Sequence, residues 1–330
     1  MDTAYPSTTS SPIRPHNRIY VAGHRGMVGS ALVRELRARG YANLITRTRQ
    51  ELDLTDQAAV RGFMSRTEPD YVFLAAAKVG GILANATWRG DFIYQNLAIE
   101  ANLIEAALRA GVRRLMLFGS SCIYPRNCPQ PIREEYLLTG PFESTNEPYA
   151  IAKVAGVKLC EAFNAQYGTR FLAVMPTNLY GPHDNFDLAS GHVLPALLRR
   201  AHEARQEGAD ALMLWGSGSP RREFLHVDDL ASACVMLMER DVGQGLFNVG
   251  SGSDVTIREL AGIIMRVTGF EGGVSVDASK PDGTPRKLLD SSRIRALGWR
   301  PRHGLEDGIR LTYRWCLENG VFDRVEAEHK

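Results

Sequence analysis

The stretch Arg18-Ile-Tyr-Val-Ala-Gly-His-Arg-Gly-Met-Val-Gly29 decides the fold. Its first residues form a short apolar run that predicts a strand, and an amphipathic run from Met27 to Arg39 predicts the helix that follows. Between them, Gly23, Gly26 and Gly29 permit a tight turn, close approach of the backbone to a pyrophosphate and close packing of helix on sheet. A helix that begins there also offers unpaired N–H groups and a partial positive charge. Because strand, glycines and helix occur in this order, the stretch predicts a dinucleotide-binding loop rather than a merely flexible turn.

Strands and helices continue to alternate beyond this loop. The hydrophobic pattern predicts strands over 43–46, 71–77, 114–119 and 171–175, and helices over 92–109 and 149–167. Strands that alternate with helices of this length are typical of a parallel sheet covered on both faces. The sequence therefore predicts an α/β fold with a Rossmann-type, doubly wound parallel sheet.

The regularity weakens beyond Gly181. A helix over 192–207, a strand over 211–215 and a helix over 256–268 are separated by stretches rich in Pro and Gly. We interpret this part as a smaller C-terminal α/β lobe that binds the substrate beside the carboxyl ends of the strands. The predicted organisation is a disordered leader over 1–17, a nucleotide-binding domain over 18–180 and a mainly substrate-binding domain over 181–330. Segments near 224–250 are expected to return to the first domain.

Composition excludes several classes of protein. The 330 residues are 44% hydrophobic and 23% charged, with a formal net charge of +2, so we expect no nucleic-acid partner. No apolar run is long enough to span a bilayer, and no membrane association is expected. The five cysteines are odd in number and lack zinc-ligand spacing, which argues against a disulfide framework and a metal site. Reduced thiols favour a cytoplasmic location.

The residues after the second predicted strand indicate which dinucleotide is bound. An NAD-specific site places an acidic residue there to bind the ribose hydroxyls. This chain has Arg47-Thr-Arg49 instead, and Arg25 lies within the glycine loop. A guanidinium is a planar fork of donors that suits a phosphate, so NADP(H) is favoured over NAD. For Arg47, the alternative of an ordinary surface arginine stays open.

A second motif, Tyr149-Ala-Ile-Ala-Lys153, predicts acid–base chemistry. Residues four apart share one face of a helix, and an ammonium beside a phenol lowers the phenol pKa toward neutrality. Alone, this spacing more often marks an exposed helix face. Ser120, which ends a buried strand about thirty residues upstream, is placed to hydrogen-bond a substrate oxygen. Ser120, Tyr149 and Lys153 together therefore predict a catalytic trio.

Cys122 lies two residues beyond Ser120, on a loop that leaves a sheet strand. Cationic neighbours can lower a thiol pKa until the thiolate serves as a base near neutral pH. A free cysteine is also often a small buried hydrophobic residue. Position alone supports both interpretations equally.

Seven stretches resemble the GDP-L-fucose synthases, a family of extended short-chain dehydrogenases/reductases. They are Gly23–Gly29, Leu74–Gly81, Gly119–Pro125, Thr145–Tyr149, Met175–Asn185, Arg222–Asp228 and Lys280–Lys287. The similarity extends from about Arg18 to Glu318, and the Ser-x-Cys pattern with a downstream histidine is more specific than the motifs shared by all dehydrogenases. The resemblance implies a bifunctional enzyme that acts as both epimerase and reductase.

The resemblance also implies a reaction. The family converts GDP-4-keto-6-deoxy-D-mannose to GDP-L-fucose by inverting C3 and C5 and then reducing C4 with NADPH. The protons at C3 and C5 are both alpha to the C4 ketone, so one enolate-stabilising site serves both inversions. By the family match, Cys122 is the base and His192 the opposing acid, a role that the ordinary histidine pKa near 6.5 suits. Without the resemblance, His192 would be interpreted as a helix-capping or core residue, and so would His183. Tyr149 then protonates the C4 oxygen.

The family match extends to binding residues. It implies that NADP(H) is held by Gly23, Arg25, Gly26, Met27, Val28, Gly29, Arg49, Leu74, Ala75, Lys153, Pro176, Thr177, Asn178, Leu179 and His192. It implies that the GDP moiety is held by Arg200, Trp215, Arg222 and Asp282. No metal is expected.

By the resemblance, the helices over 92–109 and 149–167 are expected to pair with those of a second copy in a homodimer. The second helix carries Ala150, Ala152, Ala155 and Gly156, which are small enough for close helix approach.

Two other functions remain open at this point. Another NAD(P)-dependent nucleotide-sugar epimerase or dehydratase would keep its cofactor through a closed redox cycle. Such an enzyme should have an acidic residue after the second strand. A dehydratase should also have a pair of acidic residues beside the serine, where this chain has Cys122. A non-catalytic NADP sensor would use the fold only for binding, but it would commonly lack the tyrosine or the lysine, and both are present here.

Overall fold

The computed structural model describes residues 12–188, 190–240, 242–279 and 282–325. Three parts of the chain discussed above lie outside the described residues. They are residues 1–11 of the predicted leader, Lys280 and Pro281 of the last family motif, and the tail from Glu326 onward. The end of the predicted leader packs on the first lobe, where Ile13 is buried and its N–H lies 3.4 Å from the Met238 carbonyl oxygen. Asn17 is also buried, and its side chain accepts a hydrogen bond from the Arg14 amide.

Twelve strands and eleven helices are present in the described part of the chain. The strands are β1 (Ile19–Ala22), β2 (Leu44–Ile45), β3 (Tyr71–Leu74), β4 (Arg114–Phe118), β5 (Leu172–Pro176), β6 (Asn178–Tyr180), β7 (Ala211–Trp215), β8 (Arg221–His226), β9 (Gly245–Val249), β10 (Asp254–Thr256), β11 (Gly273–Asp277) and β12 (Arg286–Lys287). The helices are α1 (Met27–Ala38), α2 (Gln57–Thr67), α3 (Ile82–Thr87), α4 (Arg89–Arg109), α5 (Glu147–Tyr167), α6 (Val193–Glu207), α7 (Val227–Glu239), α8 (Ile257–Thr268), α9 (Ser292–Ala296), α10 (Leu305–Glu318) and α11 (Val321–Val325).

A six-stranded parallel sheet forms the larger lobe, with the strand order β2-β1-β3-β4-β5-β9. The predicted fold class is confirmed. Successive residues of β1 point to opposite faces: Tyr20 packs among α2, α4 and α5, whereas Val21 packs among α1 and α7. From β1 the chain passes to β2 on one side and then crosses back to β3 on the other side, so the strand order reverses between β1 and β3. In open α/β sheets, such a switch point opens a ligand crevice at the carboxyl ends of the strands.

The smaller lobe is built around β8, which pairs with β6, β10 and β12, and a separate pair joins β7 to β11. Helices α6, α8 and α10 share a core with these strands. After β8 the chain returns to the larger lobe, because α7 packs on α1 and β9 pairs with β5. We propose that the boundary between the two domains lies near residue 180, with a second return at α9, because Ile294 and Trp299 also pack in the core of the larger lobe. No helix among the described residues combines the length and apolar character that crossing a membrane requires.

Candidate active site

A cavity of about 660 Å³ lies at the carboxyl ends of the central strands. Its walls include the glycine loop after β1, the segment 75–80 after β3, the segment 118–122 after β4 and the first turns of α5. Residues 176–179 and part of the segment 183–192 complete the lining from the β5 side. Among residues 12–188, 190–240, 242–279 and 282–325, no three His, Cys, Asp or Glu side chains are grouped as metal ligands.

The glycine loop has the geometry that a dinucleotide pyrophosphate requires. Gly23 has φ +82°, and a Cβ there would lie 2.7 Å from the Ala76 amide nitrogen. A Cβ on Gly29 would lie 2.1 Å from the Gly23 carbonyl oxygen, so helix and loop approach too closely for any side chain. No side chain caps α1, its first turn contains no acid, and Met27 and Val28 line the cavity. The helix N-terminus is therefore open to an anion.

The arginines predicted to select NADP(H) do not all reach the cavity. Arg47 and Arg49 line it, whereas Arg25 is exposed and is not among the lining residues. The Arg49 Nε lies 3.8 Å from an Asp53 carboxylate oxygen, and its side chain keeps 70% of its exposure. Asp53 also lines the cavity. Hydrogen bonds from Thr55 and the charge of Arg49 hold the pKa of the Asp53 carboxyl below its usual range, which favours the charged form.

The other predicted cofactor residues lie in or directly beneath the cavity. Its lining includes Gly23, Gly26, Met27, Val28, Gly29, Ala75, Lys153, Pro176, Thr177, Asn178, Leu179 and His192. Leu74 does not line the cavity but is the fully buried last residue of β3.

The predicted catalytic trio comes together as expected, but its electrostatics differ. The Ser120 hydroxyl hydrogen-bonds the Tyr149 phenol, and the Lys153 Nζ lies 5.8 Å from the centre of the Tyr149 ring. Burial raises the Tyr149 pKa above its ordinary value, and the nearby Cys122 and Glu100 raise it further, while the bond from Ser120 opposes the rise. The predicted lowering of this pKa by Lys153 is therefore not found.

Burial is the largest cause of this rise, and Glu100 adds to it through an ion pair that the motif did not reveal. Lys153 Nζ lies 2.8 Å from Glu100 Oε1, and both side chains are only 2% exposed. Glu100 lies on α4, within a run of mostly apolar residues. A single acid inside a buried helix stretch was the available signal in the sequence, but nothing in the sequence showed which residue it pairs with.

Cys122 has a cationic neighbour from the smaller lobe. It lies in a short turn after β4, where its amide donates to the Ser120 Oγ at 3.2 Å. The Lys287 Nζ lies 3.9 Å from the Cys122 sulfur, and Lys287 is the register partner of Arg222 in the β8–β12 pair. A nearby ammonium stabilises a thiolate, so the base interpretation of Cys122 gains a physical cause. Lys287 is the last residue of the family motif Lys280–Lys287, and no role was predicted for it from the sequence.

His192 borders the same cavity. It immediately precedes α6 and lines the cavity. Partial loss of surrounding water lowers the His192 pKa below its ordinary value, although the residue as a whole remains exposed. His183 also lines the cavity; its φ is +66° and its ring centre lies 4.9 Å from that of Trp315.

The four predicted GDP-binding residues lie in or beside the smaller lobe and are not among the residues that line the cavity. The Arg200 guanidinium carbon lies 4.6 Å from the Trp215 ring centre. Asp282 accepts hydrogen bonds from the amide and hydroxyl of Ser217, two residues after Trp215. Arg222 donates to the Thr284 carbonyl at 2.6 Å and lies near Cys122. Arg222 therefore connects this group of residues to the cavity.

Fold and site define a nucleotide-sugar type of dehydrogenase, and comparisons with known proteins agree. The model of the NAD dependent epimerase/dehydratase family matches residues 19–250. The chain belongs to that family and, within it, to the GDP-L-fucose synthases. It is 56% identical to GDP-L-fucose synthase 1 of Arabidopsis thaliana over 95% of this chain and 97% of that protein. It is likewise 56% identical to the GDP-L-fucose synthase of Escherichia coli (strain K12), over 92% and 97%.

A solved structure supports the same conclusion. The crystal structure of a GDP-L-fucose synthetase from Naegleria fowleri bound to NADP superposes with a TM-score of 0.87 at 27% identity. It covers 95% of this chain and 98% of that one.

Proposed function

We propose that the chain converts GDP-4-keto-6-deoxy-D-mannose to GDP-L-fucose, by inverting C3 and C5 and then reducing C4 with NADPH. The observation that carries the proposal is that one cavity holds both the Ser120–Tyr149–Lys153 trio and Cys122, whose thiol lies beside Lys287. The first set of residues suits reduction, and the second suits proton removal next to a ketone. The 56% identity to curated GDP-L-fucose synthases supports this function over a closed-cycle epimerase or a dehydratase.

In the epimerisation, the Cys122 thiolate removes the proton at C3 or C5, and Lys287 stabilises the charge of that thiolate. His192 returns a proton from the opposite ring face. Because its pKa is lowered in the present state, His192 acts as an acid only once its charged form is favoured. A negatively charged ligand in the same cavity supplies that effect, since a nearby opposite charge raises a histidine pKa.

In the reduction, Tyr149 donates its proton to the C4 oxygen, and Ser120 holds that oxygen by a hydrogen bond. Bound NADPH supplies the hydride to C4. A proton donor must be protonated at the working pH, and burial of Tyr149 keeps its phenol in that form. The four residues of the smaller lobe, Arg200, Trp215, Arg222 and Asp282, are proposed to bind the GDP moiety, with the arginines facing its phosphates.

Product identification tests the proposal most directly. The purified protein is incubated with NADPH and GDP-4-keto-6-deoxy-D-mannose, and the sugar configuration is determined by NMR. We expect GDP-L-fucose with one NADPH oxidised per product. Reduction at C4 without inversion at C3 and C5 would show a simple ketoreductase, and absence of NADPH oxidation would refute the reductase function.

Arg49→Gln is expected to erode the preference for NADPH. We expect the ratio of kcat/KM for NADPH to that for NADH to fall at least about tenfold, because a charge-assisted hydrogen bond to the 2′-phosphate is worth about 1.5–3 kcal/mol. Steady-state kinetics with both cofactors measures the ratio. Arg61→Gln is the control, since Arg61 pairs with Glu105 on the surface outside the cavity. Equal use of NADPH and NADH by the unaltered enzyme would contradict the assignment.

We also propose a homodimer formed through α4 and α5. Three of the four small residues that suggested this interface, Ala150, Ala152 and Gly156, are buried within the chain, whereas Ala155 is half-buried. The outer side of the two helices instead exposes Tyr94 (69%) and Ile151 (41%), which are large apolar side chains.

Sedimentation analysis at micromolar concentration is expected to give twice the mass of one chain. Tyr94→Glu is expected to shift the protein toward the monomer, because a charge in the centre of an apolar interface loses its water. Glu306→Gln, on α10 of the smaller lobe and away from α4 and α5, should leave the mass unchanged. A monomeric unaltered protein would refute the dimer.

We propose a cytoplasmic location. All five cysteines are free, and a catalytic Cys122 requires its thiol in the reduced form.

A further inference from the structure

The ion pair between Glu100 and Lys153 lies in the interior between α4 and α5. The two charged atoms are 2.8 Å apart, and each side chain is 2% exposed. Removing two charges from water is costly, and a buried pair often contributes little net stability compared with apolar residues of similar size. Burial raises the pKa of the Glu100 carboxyl, and the Lys153 ammonium opposes that rise. The pair therefore calls for an explanation other than stability.

Gly156 shows that the position of the carboxylate is built into the fold. A Cβ at Gly156 would lie 2.1 Å from Glu100 Oε2 and 2.8 Å from its Cδ. A glycine in the middle of a helix is less favourable than an alanine. The missing side chain at Gly156, three residues after Lys153 on α5, leaves the space in which the Glu100 carboxylate sits.

The charges around Tyr149 come from several elements. Lys153 lies on the same helix, Glu100 on α4, and Ser120 and Cys122 on the segment after β4. Elsewhere on α5, Cys160 is also within the influence of Glu100. Other titratable side chains line more of the cavity: Arg47, Arg49, Asp53, Lys78, His183, Asp184 and His192. Among all of these, Glu100 is the carboxylate in direct contact with Lys153.

The sign of the effect follows from electrostatics. A nearby ammonium favours the phenolate, and a nearby carboxylate favours the phenol. Unpaired, Lys153 would lower the Tyr149 pKa, as the motif predicts. Glu100 places an opposite charge next to this ammonium, and its carboxylate acts on the Tyr149 pKa in the raising direction. Reduction of a ketone requires the phenol, because the O–H bond of Tyr149 breaks as its proton passes to the carbonyl oxygen and a hydride from NADPH forms the new C–H bond.

We propose that Glu100 is a positioning residue that, through its buried pair with Lys153, keeps the Tyr149 phenol protonated and so adapts the site to reduction. The statement about reduction rests on the proposed function, whereas the electrostatic coupling does not. A site adapted to alcohol oxidation would instead leave the lysine charge uncompensated, so that the phenolate formed near neutral pH.

Glu100→Gln tests the coupling because it removes the charge and keeps the shape. Tyrosinate absorbance is followed against pH in the protein without cofactor or substrate, and the curve of the matching Tyr149→Phe protein is subtracted to isolate Tyr149. We expect the Tyr149 titration to move to lower pH by about one to two units, the effect of one charge several ångströms away at an effective dielectric constant of about 20. Glu105→Gln, on the same helix but paired with Arg61 and Arg109, should leave it in place.

Gly156→Ala is the second test, and it alters no titratable group. The added methyl group displaces the Glu100 carboxylate, so the Tyr149 titration should move in the same direction. Alanine favours the helix, which offsets part of the strain and keeps the test available if Glu100→Gln fails to fold. In single-turnover reduction, the alkaline limit of the rate should shift together with the titration in both variants.

A Tyr149 titration that stays at the wild-type pH in Gly156→Ala, or in a folded Glu100→Gln protein, would overturn the proposal. Because this titration needs neither cofactor nor substrate, it remains decisive if the unaltered protein proves inactive on the keto-sugar. That inactivity would refute the proposed function and leave the coupling between Glu100 and Tyr149 to be judged by absorbance alone.

Discussion

Tyr149→Phe is expected to abolish ketone reduction while proton exchange at C3 and C5 continues. The phenol supplies the proton for the C4 oxygen, and a positioned general acid contributes about a hundredfold to ten-thousandfold to a rate. We therefore expect NADPH oxidation to fall at least about a hundredfold. The variant is incubated with GDP-4-keto-6-deoxy-D-mannose in D₂O, with and without NADPH; absorbance reports reduction and NMR reports deuterium uptake.

Tyr167→Phe is the matched control, because Tyr167 is the last residue of the same helix and meets the Phe163 ring edge-to-face rather than lining the cavity. It should retain both activities. If Tyr149→Phe loses deuterium uptake as completely as reduction, the phenol serves both steps, and the separation of roles within the cavity is wrong.

Cys122→Ser is expected to have the opposite effect. A hydroxyl is a far poorer base than a thiol near pH 7, so deuterium uptake at C3 and C5 should slow at least about a hundredfold. The hydride step does not use the thiol, and the variant should still oxidise NADPH slowly while releasing a sugar nucleotide other than GDP-L-fucose. The same NMR experiment, followed by product analysis, measures both effects.

Cys128→Ser provides the comparison for this thiol. Cys128 is half-buried and close in sequence, but it does not line the cavity, and burial raises its pKa. It should exchange C3 and C5 protons normally. His192→Asn is also expected to impair epimerisation at C3 and C5, because the opposing proton donor is lost. Exchange at the wild-type rate in Cys122→Ser would show that the thiol is not the base.

The sequence by itself determined the fold class and most of the cavity lining. Strands β1, β3, β4 and β5 were predictable because each is a short apolar run, buried on both faces of a parallel sheet. The catalytic trio was predictable because Tyr149 and Lys153 share one face of a helix, and Ser120 follows a strand end, where such sheets bind ligands. Helix α2 was missed, since only Val60, Phe63 and Met64 of its eleven residues are buried and the apolar signal is weak.

Only the tertiary structure decided the electrostatics of the site. Lys287 reaches Cys122 across 165 positions of sequence, and Glu100 reaches Lys153 from a different helix. Local patterns carry hydrophobic periodicity and turn chemistry, but not which charge faces which across two packed elements. The tertiary structure also decides the direction in which the Tyr149 pKa moves. Burial raises that pKa, and Glu100 compensates the lysine that the motif assigns to Tyr149. The phenol therefore stays protonated where the spacing alone predicted easier ionisation.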